Sequence, residues 1–340
     1  MTGLAILDGD AAHARPGHPE RPERLAAIRA AIAADPVLAA LPRLASAPAG
    51  RTALERVHAP AYLDLVETFC ATGGGDLDFD TYATPASYRL ATEACGGLLA
   101  LVDAVMGGDL HNGFALGRPP GHHARPAQAM GFCLVSNAAV AARHAQAAHG
   151  AERVMIVDLD VHHGNGTQEA FYDDPDVLFV STHQADIYPG GGTMGETGVS
   201  DGVGATVNLP VPGGTGDELV GLVRTVLPPL AARHRPDLVL LSFGADAHRL
   251  DPLAGLGLSV GGLADAATVA LEVADTVCDG RVLATLEGGY HTPSLAASIV
   301  GVLHRMVDPA AVVADPFDLP PLPVQNLTPL LDAVRDLHRL

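Results

Sequence analysis

Asp158, Asp160 and His162 occupy alternate positions in VMIVDLDVHHGNGTQ, directly after an apolar run. If a strand continued through them, its pleat would set two carboxylates and an imidazole on one face. Burying such groups without partners is costly. A divalent ion resolves the conflict, because carboxylate oxygen and imidazole nitrogen are ordinary zinc ligands, and a catalytic zinc takes three protein ligands plus water. In this reading Asp160 and His162 share the ion and Asp158 stands beside them. The third ligand must come from another strand end, and Asp246 follows the run PDLVLLSFG. The glycine of that run permits a sharp bend, so the Asp246 side chain can point over the edge of a sheet. Nearby, Asp251-Pro252 reads as a turn and His248 as a neighbour of the site rather than a ligand.

Two further stretches carry groups suited to proton transfer and carbonyl polarisation. His122 and His123 lie in RPPGHHARP, a loop braced by proline and glycine. On a helix adjacent histidines diverge, whereas on a stiff loop both can approach one site. Each needs a partner that fixes its tautomer, and Asp158 and Asn165 suit that purpose. ATLEGGY ends another apolar run, and its glycines allow a loop that brings the Tyr290 hydroxyl over a cavity, where it could polarise a carbonyl.

These residues must be positioned by strand ends. RVMIVDLD, VLFVST, ATVNLPV, PDLVLLSFG and RVLATLEGG read as strands, and they alternate with helical stretches such as SNAAVAARHAQAAHG and DELVGLVRTVLPPLAARH. Continuous apolar strands alternating with helices indicate an α/β fold whose parallel sheet is covered on both faces. In such sheets ligands bind at the carboxyl ends of the strands. Segments 117–133 and 183–204 fit neither helix nor strand and are rich in glycine and proline, as expected of functional loops. A single domain is expected over residues 1–340. Its Pro-rich tail begins at 308 and ends in an amphipathic helix from Thr328 to Leu340.

Composition narrows the function classes. The chain is 48% hydrophobic but only 4% aromatic and has no Trp, so its core must be built from Ala, Val and Leu. Twenty basic residues against 39 acidic ones give a formal charge of −19, which disfavours nucleic acid and anionic membranes and favours cationic ligands. Cys70, Cys95, Cys133 and Cys278 are scattered without a C-x-x-C pair, as expected of reduced thiols in a cytoplasmic protein. The first residues show no basic, apolar leader. The run GGLLALVDAVMGG is short and contains Asp103, so it reads as a buried helix and not a membrane span. Oligomeric state is left open, a homo-oligomer included.

Taken in order, HPERPERL, RPPGHHA, GFCLVSNAA, VDLDVHHGNGTQEAFY, VLFVSTHQ, YPGGG, TVNLP, SFGADAHRLDPLAGL and LEGGY resemble the motifs of the histone deacetylase superfamily, which also contains acetylpolyamine amidohydrolases and acetoin-utilisation proteins. They span roughly residues 18 to 290, and DVHHGNGTQ and DPLAGL are closer to the class II and bacterial members. The resemblance implies the arginase–deacetylase fold, a mostly parallel eight-stranded sheet between helical layers, and a zinc-dependent amidohydrolase. It implies zinc ligation by Asp160, His162 and Asp246. His122 and His123 become tandem catalytic histidines partnered by Asp158 and Asn165, and Tyr290 binds the amide oxygen. His123 would move the proton from water to the leaving amine while His122 gives electrostatic support. Gly131 and Phe132 are expected along the acyl-lysine tunnel, Gly288 among the substrate-binding residues, and Asp80 at the tunnel's rim, holding substrate backbone. Structural potassium is implied near Asp158, Asp160, His162, Ser181 and Thr182, and a second ion near Phe171, Asp174 and Val177.

Within this class the substrate is either acyl-lysine in proteins and peptides or an acetylpolyamine. Both yield cationic amines. Leu253 stands where a polyamine-selective type carries Glu, which leans toward acyl-lysine, although Glu196 or Asp201 could substitute. Two readings outside the class are a binuclear manganese ureohydrolase, which needs more carboxylates, and an inactive acyl-lysine binder, which should have lost one of these groups.

Overall fold

The computed structural model describes residues 1–320 and 322–340. Eight strands form one sheet: β1 (Thr2–Ile6), β2 (Arg43–Leu44), β5 (Asn112–Leu116), β6 (Val154–Asp158), β7 (Val177–Gln184), β8 (Thr206–Val211), β9 (Leu238–Phe243) and β10 (Val282–Leu286). Their order is β2-β1-β5-β10-β9-β6-β7-β8, and every neighbouring pair is parallel. A small antiparallel ribbon joins β3 (Gly75–Asp76) to β4 (Tyr82–Ala83). The helices are α1 (Glu23–Ala34), α2 (Pro36–Ala39), α3 (Arg51–Leu54), α4 (Pro60–Ala71), α5 (Ser87–Met106), α6 (Asn137–His149), α7 (Asn165–Ala170), α8 (Leu219–His234), α9 (Val260–Val277), α10 (Thr292–Val307) and α11 (Thr328–His338).

Strand alternation divides the apolar side chains between two cores. Met155, Val157, Val239, Leu241, Phe243, Val282 and Ala284 face α1, α8, α9 and α10. Val154, Ile156, Leu238, Leu240 and Leu283 face α4, α5 and α6. A parallel sheet buried on both sides needs apolar residues at nearly every strand position, which is why these runs are continuous rather than alternating. The result is the α/β sandwich of eight strands that the sequence motifs imply.

Three sheet strands lie outside the five apolar runs that read as strands. In β1 and β5, Gly3 pairs in register with Gly113. A Cβ at either glycine would collide with Leu side chains of the adjoining α5 region, Leu110 at Gly3 and Leu101 at Gly113. Small residues here let α5 approach the sheet closely, and they also erase the β-branched signature that would mark a strand.

The strands that lead into Asp160, Asp246 and Tyr290 are neighbours. Asp158 of β6 lies level with Ser242 of β9, and Phe243 of β9 lies level with Leu286 of β10. The chain therefore leaves the sheet at three adjacent points on its carboxyl edge. The segment between α10 and α11 runs without helix or strand among its described residues. The Asp315 carboxylate accepts Val260 N–H, and Glu218 accepts Gln325 N–H. The terminal helix closes at His338 with Val334 buried. All four cysteines are buried and free. Among the described residues no helix is long and apolar enough to cross a membrane.

Candidate active site

β6 ends at Asp158, so the pleat does not carry Asp160 and His162 as the alternation in the sequence suggests. Leu159 N–H still bonds Ser242 O of β9, and the chain then turns. Within that turn Asp160 N–H donates to Asp158 Oδ1 at 3.1 Å and His162 N–H donates to Asp160 Oδ1 at 2.9 Å. Successive carboxylates thus cap the turn and aim inward. Asp246 enters from the turn after β9, its Oδ1 accepting Val161 N–H at 3.1 Å.

One ligand atom from each of Asp160, His162 and Asp246 lies within 4.8 Å of the others. His162 Nδ1 is 3.2 Å from Asp160 Oδ1 and 3.3 Å from Asp246 Oδ2. Asp246 Oδ2 is buried without a hydrogen-bond donor. A Cβ at Gly244 or at Gly288 would strike the Asp160 and Asp246 carboxylates. Close approach, rather than a sharp bend, is therefore what requires glycine before Asp246. Gly288 belongs to the same cradle: its N–H donates to Asp160 Oδ2 at 2.8 Å. Burial, with Asp160 close by, pushes Asp246 up to about 7. Burial alone would raise Asp160, but His122 and His162 hold its carboxyl well below the usual range. Burial would lower His162, yet Asp160 and Asp246 raise it to about 10. Two carboxylates and an imidazole around an orphaned oxygen fit a divalent cation, whose charge would relieve the repulsion between the acids.

The tandem histidines stand beside this cradle with their rings 4.0 Å apart. His122 Nδ1 meets Asp158 Oδ2 at 3.1 Å, and its Nε2 is 3.7 Å from Asp160 Oδ1. His123 Nδ1 meets Asn165 Oδ1 at 2.7 Å. Burial opposes charge on both. At His122 the nearby Asp160 and Asp158 carboxylates win and raise it well above its ordinary value. At His123 burial and the neighbouring His122 and His162 lower it well below.

Tyr290 is buried at the end of a loop held from two sides. Its N–H donates to Asp251 Oδ2 at 2.6 Å, and His291 N–H reaches the same oxygen at 3.2 Å. Asp251 Oδ1 meanwhile accepts Leu253 N–H, the turn that its place before proline suggests. Arg24 lies over the Tyr290 ring at 4.8 Å and donates Nε–H to Gly289 O at 2.6 Å. Arg24 in turn pairs with Glu20, which also accepts from Arg118, so the HPERPERL stretch builds a buried ionic brace behind the tyrosine. Burial pushes the Tyr290 hydroxyl well above its ordinary value.

Aromatic rings stand beside the histidines and the tyrosine. Phe132 meets Tyr290 edge-on at 5.7 Å, and Tyr188 meets His123 edge-on at 5.2 Å. Gly131 and Phe132 both adopt left-handed backbone, φ 55° and 68°. A Cβ at Gly131 would strike the His123 ring. Phe132 N–H is fixed by Thr81 Oγ1 at 3.0 Å, and that hydroxyl donates to Asp80 Oδ1 at 2.9 Å. Asp80 is thereby tied to Phe132 through one intermediary, and burial together with Asp78 pushes it up to about 6.

Other expected residues fall elsewhere or nearby. His248 is buried edge-on to Phe317 at 5.4 Å. Ser181 is the register partner of Asp158, and its hydroxyl bonds His183 Nδ1 at 2.9 Å, with Thr182 next along β7. Phe171, Asp174 and Val177 share the turn between α7 and β7, where Asp174 N–H bonds Phe171 O and the Asp174 carboxylate pairs with Arg143 at 2.6 Å. Glu196 is engaged by Gln168 and Thr193. Asp201 lines a cavity with Arg153, Leu178 and Arg233 near the amino ends of the strands, remote from the carboxyl edge.

Three contributors escape the sequence reading: Glu287, Tyr188 and the second role of Asp251. Glu287 is fully buried, and its Oε2 accepts the N–H groups of Gly121 at 2.7 Å and His122 at 3.1 Å, while Ser242 Oγ donates to Oε1 at 3.0 Å. Its signal was present: an acid closing an apolar strand immediately before a glycine pair.

This fold and this cradle define a histone deacetylase family protein, and the chain belongs to that family: the profile described as Histone deacetylase domain matches residues 18–306. The chain is 45% identical over 269 residues to "Histone deacetylase 10, chloroplastic" of Oryza sativa subsp. japonica, covering 76% of this chain and 61% of that protein. It is 39% identical over 316 residues to "Polyamine deacetylase HDAC10" of Homo sapiens, covering 88% of this chain and 46% of that one. The chain thus spans about three fifths of the first relative and under half of the second. The crystal structure of the HDA15 HD domain superposes with a TM-score of 0.89 at 36% identity, covering 99% of this chain and 95% of that one.

Proposed function

We propose that the protein is a zinc-dependent hydrolase that removes acyl groups from acyl-lysine in proteins or peptides. The observation that carries this reading is the cradle of Asp160, His162 and Asp246, with its orphaned Asp246 oxygen, set beside two histidines that have unlike partners. Zinc held there supplies a Lewis acid that polarises the acyl carbonyl and acidifies water. His123 donates Nδ1–H to the neutral Asn165 amide, so its Nε2 keeps a lone pair. That nitrogen accepts the proton of the attacking water and delivers it to the amine nitrogen as the C–N bond breaks. His122, on a carboxylate partner, carries positive charge beside the reaction. The Tyr290 hydroxyl, still protonated, donates to the developing oxyanion.

Phe132 and Tyr188 suit the two sides of an aliphatic lysine stem, and Asp80 suits a substrate backbone N–H. Potassium at the Asp158–Ser181 pair and at the Phe171–Val177 turn belongs to the same proposal. At the carboxyl edge of the sheet the described residues gather one three-ligand group, Asp160, His162 and Asp246, which supports one catalytic ion over the pair of a ureohydrolase.

A second substrate reading is an acetylpolyamine, favoured by the relative of that name and by the pairing of Asp78 with Asp80, whose N–H it accepts at 3.0 Å. Acetate release from acetyl-lysine peptides and from N-acetylated putrescine, cadaverine and spermidine separates the two. Chelation should abolish turnover and zinc should restore it. No acetate from any of these substrates would refute hydrolysis and favour an acyl-lysine binder.

A further inference from the structure

We propose a second, surface zinc site formed by Asp103, His144 and His149. Asp103 lies in the last turn of α5, His144 near the end of α6, and His149 is its final residue. His144 Nε2 and His149 Nε2 each sit 2.7 Å from the same Asp103 Oδ1, and their rings meet at 5.9 Å. One ligand atom from each lies within 4.8 Å of the others, as in the catalytic cradle.

Position separates this site from the catalytic one. α5 runs toward the start of β5 and α6 toward the start of β6, so their last turns meet at the amino edge of the sheet. The cradle of Asp160, His162 and Asp246 lies at the opposite edge.

Chemistry favours a metal there. Two neutral imidazoles and one carboxylate are a three-ligand zinc set with one position left for water. The carboxyl ends of both helices carry the negative end of their dipoles toward the site, which favours a cation. A zinc about 2.0–2.1 Å from each donor requires donor separations of about 3.3 Å. Asp103 is exposed and both histidines are partly exposed, so small side-chain rotations open the present contacts to that spacing. A surface carboxylate gains little from a second histidine partner, since exposed pairs contribute about 0–1 kcal/mol. The zinc would cross-brace α5 and α6, which pack on each other over the same face of the sheet, and would be too exposed for water-excluded catalysis.

Titration of Zn2+ into protein already carrying its tightly held metal, read by calorimetry, tests the site. Wild type should take up one further equivalent with a Kd on the order of micromolar, and Tm should rise by about 3 °C at saturation. His144→Ala/His149→Ala should lose that equivalent. Asp103→Asn, which keeps the hydrogen bonds but removes the anionic ligand, should bind at least tenfold more weakly. Hydrolysis should be unchanged in both. The readout is the difference in bound zinc between wild type and variants, so it stands whether or not the chain hydrolyses acyl-lysine. Variants that bind zinc as wild type does, or a wild type without the extra equivalent, overturn the proposal.

Discussion

The Glu287 carboxylate accepts the backbone N–H of His122, 3.1 Å away, so a side chain from the end of β10 fixes the loop that presents the tandem histidines. The same oxygen takes Gly121 N–H, and the other takes the Ser242 hydroxyl. Glu287→Ala leaves two buried N–H groups unmet, an expected cost of about 1–3 kcal/mol for each group left unsatisfied. Glu287→Gln should fold nearly as well but lower kcat by about tenfold at unchanged zinc content. Wild-type kcat in the Gln variant would show that the clamp does not position the histidines.

Tyr290→Phe should keep its zinc and lose activity by about 10²–10³, the usual cost of removing one oxyanion donor. Asp251→Ala releases the N–H groups of Tyr290 and His291 and should lower kcat more than it raises KM, because it unsettles the hydroxyl without touching the zinc ligands. Metal analysis alongside steady-state kinetics checks both variants. Full turnover by Tyr290→Phe removes that hydroxyl from the mechanism.

Asp246→Asn should abolish zinc binding and hydrolysis together. In wild type, chelation should lower Tm, since a ligand held at 1,000 times its Kd stabilises the fold by about 4 kcal/mol. Differential scanning calorimetry with and without chelator measures this, and an unchanged Tm would argue against a tightly held ion.

Acid should weaken the fold through His58. Its Nε2 accepts Ser136 N–H at 3.0 Å and its Nδ1 meets Arg125 O at 3.1 Å, so it ties the middle of the loop between β5 and α6, two residues after His123, to the end of that loop. Burial lowers it from 6.5 to about 4. The unfolded chain therefore binds the proton first, and the stabilisation is complete above pH 6.5 and lost as pH falls through about 4. The loss amounts to about 3 kcal/mol in wild type. Denaturation midpoints followed from pH 7 to 4 should fall less steeply for His58→Gln than for wild type. Parallel curves would clear His58.

Much of the site is legible in the sequence because its chemistry is local. A carboxylate that closes an apolar run has few structural uses, and Asp158 and Asp246 carry that mark, while the paired histidines are marked by the proline- and glycine-braced loop that holds them. Backbone detail is less legible. The Asp160–His162 spacing looks like a pleat but is a capped turn, since both patterns place alternate polar residues after a strand. β1 and β5 hide because Gly3 and Gly113 are chosen for the close approach of α5, and strand propensity gives way to that packing. Tyr188 is a single aromatic in a glycine-rich loop, and only the folded chain reveals that it faces His123.

The metal cradle draws on turns after β6, β9 and β10, which are adjacent in space but far apart along the chain. No fragment with only one of these strands paired holds all the proposed ligands, so uptake of the proposed metal would wait for the central pairings, which are slow because they are non-local. Under the proposed function, loading would then work as an inspection step: an apo population that acquires zinc would have completed its middle, and a misregistered one would stay empty and silent.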